Sequence, residues 1–395
     1  MEAITAVMWL TVIATATSTG NNVTDAGNDY NVSSSPSKSS SSLSSSRRYS
    51  RISPTMSTVF RVASILIAVV GCLANSYVLL ALLLSKNSRA SNVNVFITHQ
   101  TALDLTACAF LFVGHVINPP RMNDSLALFV CWFFQTYSIS SSAGNASVCG
   151  LMIITIERYV KIVYSVAYRN HYRPWMTRVG IVLPWIFGIC TDLIPTWTTS
   201  KVVKGQCIRR QKLSNSVHQS VWAVAKFLLL YVGPLFVFVF GYWKILAVIR
   251  RQRKQVGQSH PPGTSNAKAA ERTDAPRAGR HSTEMNVIRT MVVVSVSFAL
   301  CFGCTRVYTI LTRLGVMRGA GQLYLLFSVF SYSNRCLNPF IYATQYEVVR
   351  RWWRVMACRL VSGQHADEVS MTPSVVPHGS RQPQITKIHV AAKNI

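Results

Sequence analysis

Between Val62 and Leu84 the chain runs for 23 residues without a charge, VASILIAVVGCLANSYVLLALLL, and that segment excludes most architectures. As a helix rising about 1.5 Å per residue it reaches roughly 35 Å, enough to cross a hydrocarbon core of about 30 Å. Lipid offers the backbone no hydrogen-bond partner, so such a segment must satisfy itself as a helix. Six comparable segments follow, near Val95–Val113, Gln135–Ile156, Val179–Trp197, Phe227–Trp243, Thr290–Val307 and Leu323–Tyr342. Buried helices of a soluble domain do not come in such a series. The expected fold is an all-α membrane protein, a seven-transmembrane helix bundle.

Half of the residues are hydrophobic and 13% are charged, yet the net charge is +27. Nucleic acid is not the implied partner, because the basic residues sit mainly between and after the spans. They include Lys86 and Arg89; Lys161, Arg169, Arg173 and Arg178; Arg250, Arg251, Arg253 and Lys254; and Arg350, Arg351 and Arg354. Positive residues near span ends favour the cytoplasm and attract anionic lipid. With seven spans this puts the N-terminus outside and the C-terminus inside.

Residues 1–57 read as an extracellular disordered tail, rich in Ser and Asn beyond residue 20. The apolar first twenty residues lack the basic start of a signal peptide, which argues against cleavage. Sequons at Asn22, Asn31 and Asn123 are glycosylation candidates, whereas Asn145 falls inside the third span. The receptor-like core is expected over 58–346, an amphipathic helix over 347–359 (EVVRRWWRVMACR) along the membrane surface, and a cytoplasmic disordered tail over 360–395. Cys358 beside that amphipathic stretch is a palmitoylation candidate. Seven of the ten cysteines lie within spans, where a thiol behaves as a small hydrophobe. Cys131 and Cys207 alone share the oxidising side, so they are expected to pair.

The polar residues within the spans carry the function. In order they are Asn75, Asp104 in ALDL, Glu157-Arg158-Tyr159, Trp185 with Pro195, Pro234 with Tyr242, FALCFGC at 298–304, and Asn338-Pro339-Phe340-Ile341-Tyr342. This series resembles the rhodopsin-like (class A) G-protein-coupled receptors over roughly residues 58–360, with a lean toward the peptide receptors.

The resemblance implies a clamp in which Arg158 is held by Glu157 and by Glu284 at the start of the sixth span. Opening moves the sixth helix away and lets Tyr242 and Tyr342 hold the released arginine, a bistable element suited to switching. Asn338 and Pro339 belong to the same machinery. It also implies a sodium-site-like cluster of Asp104, Ser147, Asn334, Asn338 and Asn75. Arg335 stands where the family keeps a small polar residue, and is expected to pair with Asp104 as a tethered substitute for the cation.

Phe298 and Phe302 match the family's toggle region, but Cys304 stands where a helix-kinking proline is usual. Cys131 and Arg158 are two residues further apart than in the family, which calls for a shifted disulfide or an irregularity near SSSAGNAS. Tyr332 occupies the place of the opsin lysine, and Ser140 that of the amine receptors' aspartate. Lys226 and Arg306 at ligand-facing levels imply an anionic or peptide ligand, with Asp192 as the residue able to neutralise Lys226.

The expected role is a plasma-membrane receptor that binds an extracellular ligand and activates a heterotrimeric G protein, with arrestin as a further partner. No cofactor, metal site or enzymatic activity is implied. The rivals are a non-signalling receptor of the same fold, or a transporter, for which no internal repeat is visible.

Overall fold

The computed structural model describes residues 53–85, 92–117, 125–203, 206–209, 216–258, 267–317, 321–346, 349–352 and 354–355. Asn22, Asn31, Asn123 and Cys358 lie outside them. The first span, Pro54–Leu84, starts on Ser53, whose hydroxyl accepts from the Met56 N–H at 3.2 Å, with proline in the first turn. The second is Asn92–Val116, the third Ser125–Val163 and the fourth Pro174–Thr199. A short antiparallel hairpin, β1 Ser200–Val203 and β2 Gln206–Arg209, follows the fourth. The fifth is built from Ser216–Phe227, Leu228–Val232 and Gly233–Gln258. The sixth is one continuous helix, Ala267–Arg313, and the seventh runs Gly321–Gln345.

Most helices adjacent in the chain pack together, the fifth packs mainly on the third, and the seventh closes the ring on the first. The third is the hub: 72% of its apolar stretch is buried, against 17% of the fifth's. Apolar residues outside the core, such as Leu73, Val239 and Leu300, stay exposed on the bundle's perimeter, as lipid requires. The core runs from Val78 and Leu82 through Ile154 and Tyr242 to Phe298 and Tyr342.

Six helices among the described residues are long and apolar enough to cross a membrane on length and composition alone. The seventh has the length but not the apolarity. Its Ser328, Ser331, Ser333, Asn334, Arg335 and Asn338 are all buried, so the polarity faces the bundle and not the lipid.

Three of the spans contain a wide π turn. In the fourth, the Ile194 N–H reaches back to Ile189 O just before Pro195, and in the fifth Gly233 reaches Leu228 O just before Pro234. A proline removes one N–H and crowds the preceding turn, and the extra residue relieves that crowding. The third lies at Cys131–Gln135 and is followed by Tyr137 with φ 53°, after which the helix restarts at Ser138. This absorbs the long Cys131–Arg158 spacing. The irregularity therefore lies upstream of SSSAGNAS, which is itself regular helix. Tyr137 is held there by its hydroxyl, 3.1 Å from His115 Nδ1.

After the seventh helix, residues 349–352 and 354–355 are helical, with Val349 fully buried in the core. The sixth helix ends at Gly315, φ 76°, where the Val316 N–H turns back to Leu311 O.

Candidate functional site

The third helix carries its acid and its arginine into the core before it ends. Glu157 is 8% and Arg158 3% exposed, and Arg158 Nε lies 2.7 Å from Glu157 Oε2. The second carboxylate oxygen accepts from the Tyr168 hydroxyl at 2.7 Å, and Asn92 Nδ2 lies 3.4 Å from that hydroxyl. Burial, with the Glu157 carboxylate beside it, pushes the Tyr168 phenol up, so it remains a proton donor. Tyr168 sits on the short helix Ser165–His171 after the span, ten residues beyond Arg158. No periodicity in the sequence marks it.

Arg158 Nη2 is buried without a hydrogen-bond partner among the described residues. Tyr242 is instead 2.9 Å from Thr155 Oγ1, nearly one turn before Arg158 on the same helix. The Tyr342 side chain is fully buried and its hydroxyl has no partner among the described residues. Tyr159 points away from this pocket and packs edge-on against Tyr164 and beside Phe240. The Glu284 side chain lies outside the described residues.

Asp104 is wholly buried at mid-bundle. Ser147 donates to Oδ1 at 2.7 Å and Asn338 to Oδ2 at 2.8 Å, so both carboxylate oxygens are taken. Gln100, one turn before Asp104 on the same face, donates to Ser147 and extends the network. Its place was readable from that spacing, but its partner was not. Asn75 donates to Gly71 O at 2.8 Å and Arg335 O at 3.1 Å, tying the first helix to the seventh. Asn334 is buried, and its side-chain oxygen has no partner among the described residues. Pro339 lies inside the seventh helix next to Asn338.

The expected Arg335–Asp104 pair is not formed. Arg335 Nη1 donates to Ser140 Oγ at 2.9 Å, and the guanidinium lies 5.5 Å from the Tyr332 ring centre. The reason is local. Asp104 already holds two donors, and Gly144 leaves room on the other side: a Cβ there would fall 2.4 Å from Arg335 Nη2.

A hub helix that pairs its terminal acid and arginine, above a buried aspartate shared with the seventh helix, belongs to a known architecture. Residues 74–342 match the seven-transmembrane receptor (rhodopsin) family. The chain is a member of that family. Among similar proteins are the 5-hydroxytryptamine receptor 4 of Cavia porcellus, 22% identical across 81% of this chain and 84% of its own length. The G-protein coupled receptor 12 of Mus musculus is 23% identical over 73% and 78%. The somatostatin receptor type 5 of Rattus norvegicus is 23% identical over 82% and 83%. The chain is therefore a non-enzymatic, multi-pass membrane receptor.

The receptor's other half is closed by the Cys131–Cys207 disulfide, with Cα atoms 5.4 Å apart, which ties β2 to the third span. Within it Lys226 Nζ lies 3.5 Å from Asp192 Oδ1, so the neutralising pair read in the sequence is formed. Arg306 Nη2 donates to Asn145 Oδ1 at 3.3 Å, and its guanidinium lies 5.8 Å from the Phe302 ring centre. Phe302 in turn packs 5.1 Å from Phe298, which meets Phe238 edge-on. Where the sixth helix lacks its proline, the Tyr231 hydroxyl donates to Ala299 O at 3.3 Å and fills the space beside Gly303. Tyr231, Thr155, Gln100 and Tyr168 were not singled out from the sequence, because each matters only through a neighbour on another helix.

Proposed function

We propose that this receptor binds an extracellular ligand at its disulfide end and activates a heterotrimeric G protein at the Glu157–Arg158 end. The N-terminus then lies outside the plasma membrane and the C-terminus inside. The carrying observation is the buried Arg158, held by Glu157 while Tyr242 engages Thr155 instead. This is a resting arrangement with a second set of partners nearby, the form a two-state switch takes. Glu284 is read as the second acid on Arg158, and Cys358 and residues 347–359 as the membrane-surface anchor.

The ligand is read as anionic. Lys226 and Arg306 lie in the disulfide half, with Asp192 paired to Lys226, and Arg335 lies toward mid-bundle against Ser140. One relative is named for 5-hydroxytryptamine, but a cationic amine does not fit here. Ser140, where amine receptors keep an acid, instead receives a hydrogen bond from a guanidinium.

A second reading, a receptor that no longer signals, is favoured by one observation. Tyr231 ties the fifth helix to the sixth where the kink is missing. Basal G-protein activation, with surface expression matched, separates the two for wild type, Glu284→Ala and Arg158→Ala. Signalling that rises in Glu284→Ala and falls in Arg158→Ala supports the switch. Background signal in all three, with every G-protein family, supports the silent receptor.

A further inference from the structure

Two guanidiniums from different helices converge on consecutive residues of the third. Arg335 of the seventh helix lies over Gly144, while Arg306 of the sixth donates to Asn145. Arg335 is 5% exposed, and of its three nitrogens Nη1 has Ser140 while Nε has no partner among the described residues. The Nε–Nη2 side of an arginine is the edge that takes a carboxylate through two parallel hydrogen bonds. The two cations are within electrostatic reach of each other, and the acid acting on Arg306 is Asp192. Asp192 already holds Lys226. Lys226 and Arg306 thus share Asp192, while the acid within reach of Arg335 is Asp104, which is already taken by Ser147 and Asn338, so three cations stand against two carboxylates. Burying like charges together is costly unless an anion compensates them.

We propose that Arg306 and Arg335 form one anion subsite over Gly144–Asn145 that takes the carboxylate of the extracellular ligand. Ser140 orients Arg335, and Asn145 orients Arg306. Lys226 is excluded from the subsite by its pairing with Asp192, and serves the approach to it. Gly144 is required because any side chain there would displace the guanidinium. The inference deepens the anionic-ligand reading and does not depend on whether the receptor signals.

The test uses the purified full chain in detergent, with thermal unfolding read in benzoate, inorganic phosphate or chloride at matched ionic strength. Benzoate at about ten times its Kd is expected to raise the wild-type Tm by roughly 2–4 °C. That shift should vanish in Arg335→Gln and in Arg306→Gln. Chloride and phosphate should give less than half of it.

Truncation has a second signature. Without any added anion, Arg335→Gln should melt no lower than wild type, because it removes one of two like charges. A purely structural arginine predicts a drop. Gly144→Ala, which keeps every charge, should weaken benzoate stabilisation at least fivefold in concentration.

Equal benzoate shifts in wild type and both arginine variants overturn the subsite, as does no shift in wild type. A larger effect of phosphate or chloride overturns its assignment to carboxylates. Binding is read without a G protein, so silence in signalling leaves this result standing. Equally, a missing shift leaves the receptor reading intact.

Discussion

Arg335 reaches across the bundle to Ser140, 2.9 Å away, and leaves Asp104 to Ser147 and Asn338. A mid-membrane arginine has thereby found a hydroxyl and an aromatic face in place of the nearest carboxylate. The cost of an uncompensated buried cation makes that choice consequential.

The first consequence concerns sodium. Arg335 remains within electrostatic reach of Asp104, so a second cation beside that carboxylate is disfavoured. Replacing choline chloride with sodium chloride should move the wild-type Tm by less than about 1 °C, the shift of a site left mostly empty. Arg335→Ala should acquire a sodium-dependent rise. Strong sodium stabilisation of the wild type would count against this account.

Tyr168 is the second test. Its hydrogen bond to Glu157 involves a charged acceptor, a bond worth about 1.5–3 kcal/mol. Tyr168→Phe should release part of that and raise basal G-protein activation several-fold, while Glu157→Gln raises it further. Unchanged basal signalling in Tyr168→Phe, at matched surface level, removes Tyr168 from the clamp.

Gly303 and Tyr231 form the third. A Cβ at position 303 would sit 2.6 Å from the Tyr231 hydroxyl. Gly303→Ala should lower stability by roughly 1–3 kcal/mol through overpacking. Tyr231→Phe removes the clashing oxygen, so the double variant should melt higher than Gly303→Ala alone. Additive losses would show that the two do not meet.

The disulfide gives the fourth. It spans 76 residues, and closing a loop of that size is worth about 4.5 kcal/mol on chain-entropy grounds. Cys131→Ser and Cys207→Ser should each lower surface expression and Tm, and the double variant should be no worse than either single one. A double variant much worse than the singles would point to separate roles for the two thiols.

Much of the architecture was legible along the chain. Long charge-free runs require helices, because lipid leaves the backbone no other partner, and seven of them require a bundle. The Cys131–Cys207 bridge and the Glu157–Arg158 pair were readable along the chain, and the Asp104–Ser147–Asn338 cluster was implied by the resemblance to the receptor family. The Lys226–Asp192 pair was readable too, since both residues lie in the outer parts of their spans. These features share a property. Most of their partners are short side chains at levels that the bundle brings face to face, so they leave little choice of direction.

What the sequence left undecided was the direction taken by long side chains and by irregular backbone. Arg335 could turn toward Asp104 or away from it. The choice fell to Ser147 and Asn338, which filled the carboxylate, and to Gly144, which left a gap. The extra residues of the third span could be absorbed at several places. Tyr137, held by His115 of the second helix, drew the irregularity to 131–137. Residue type and spacing along one helix determined which levels carry polar groups. Only the packing of neighbouring helices decided which of those groups meet, because that depends on volumes and donors contributed from distant parts of the chain.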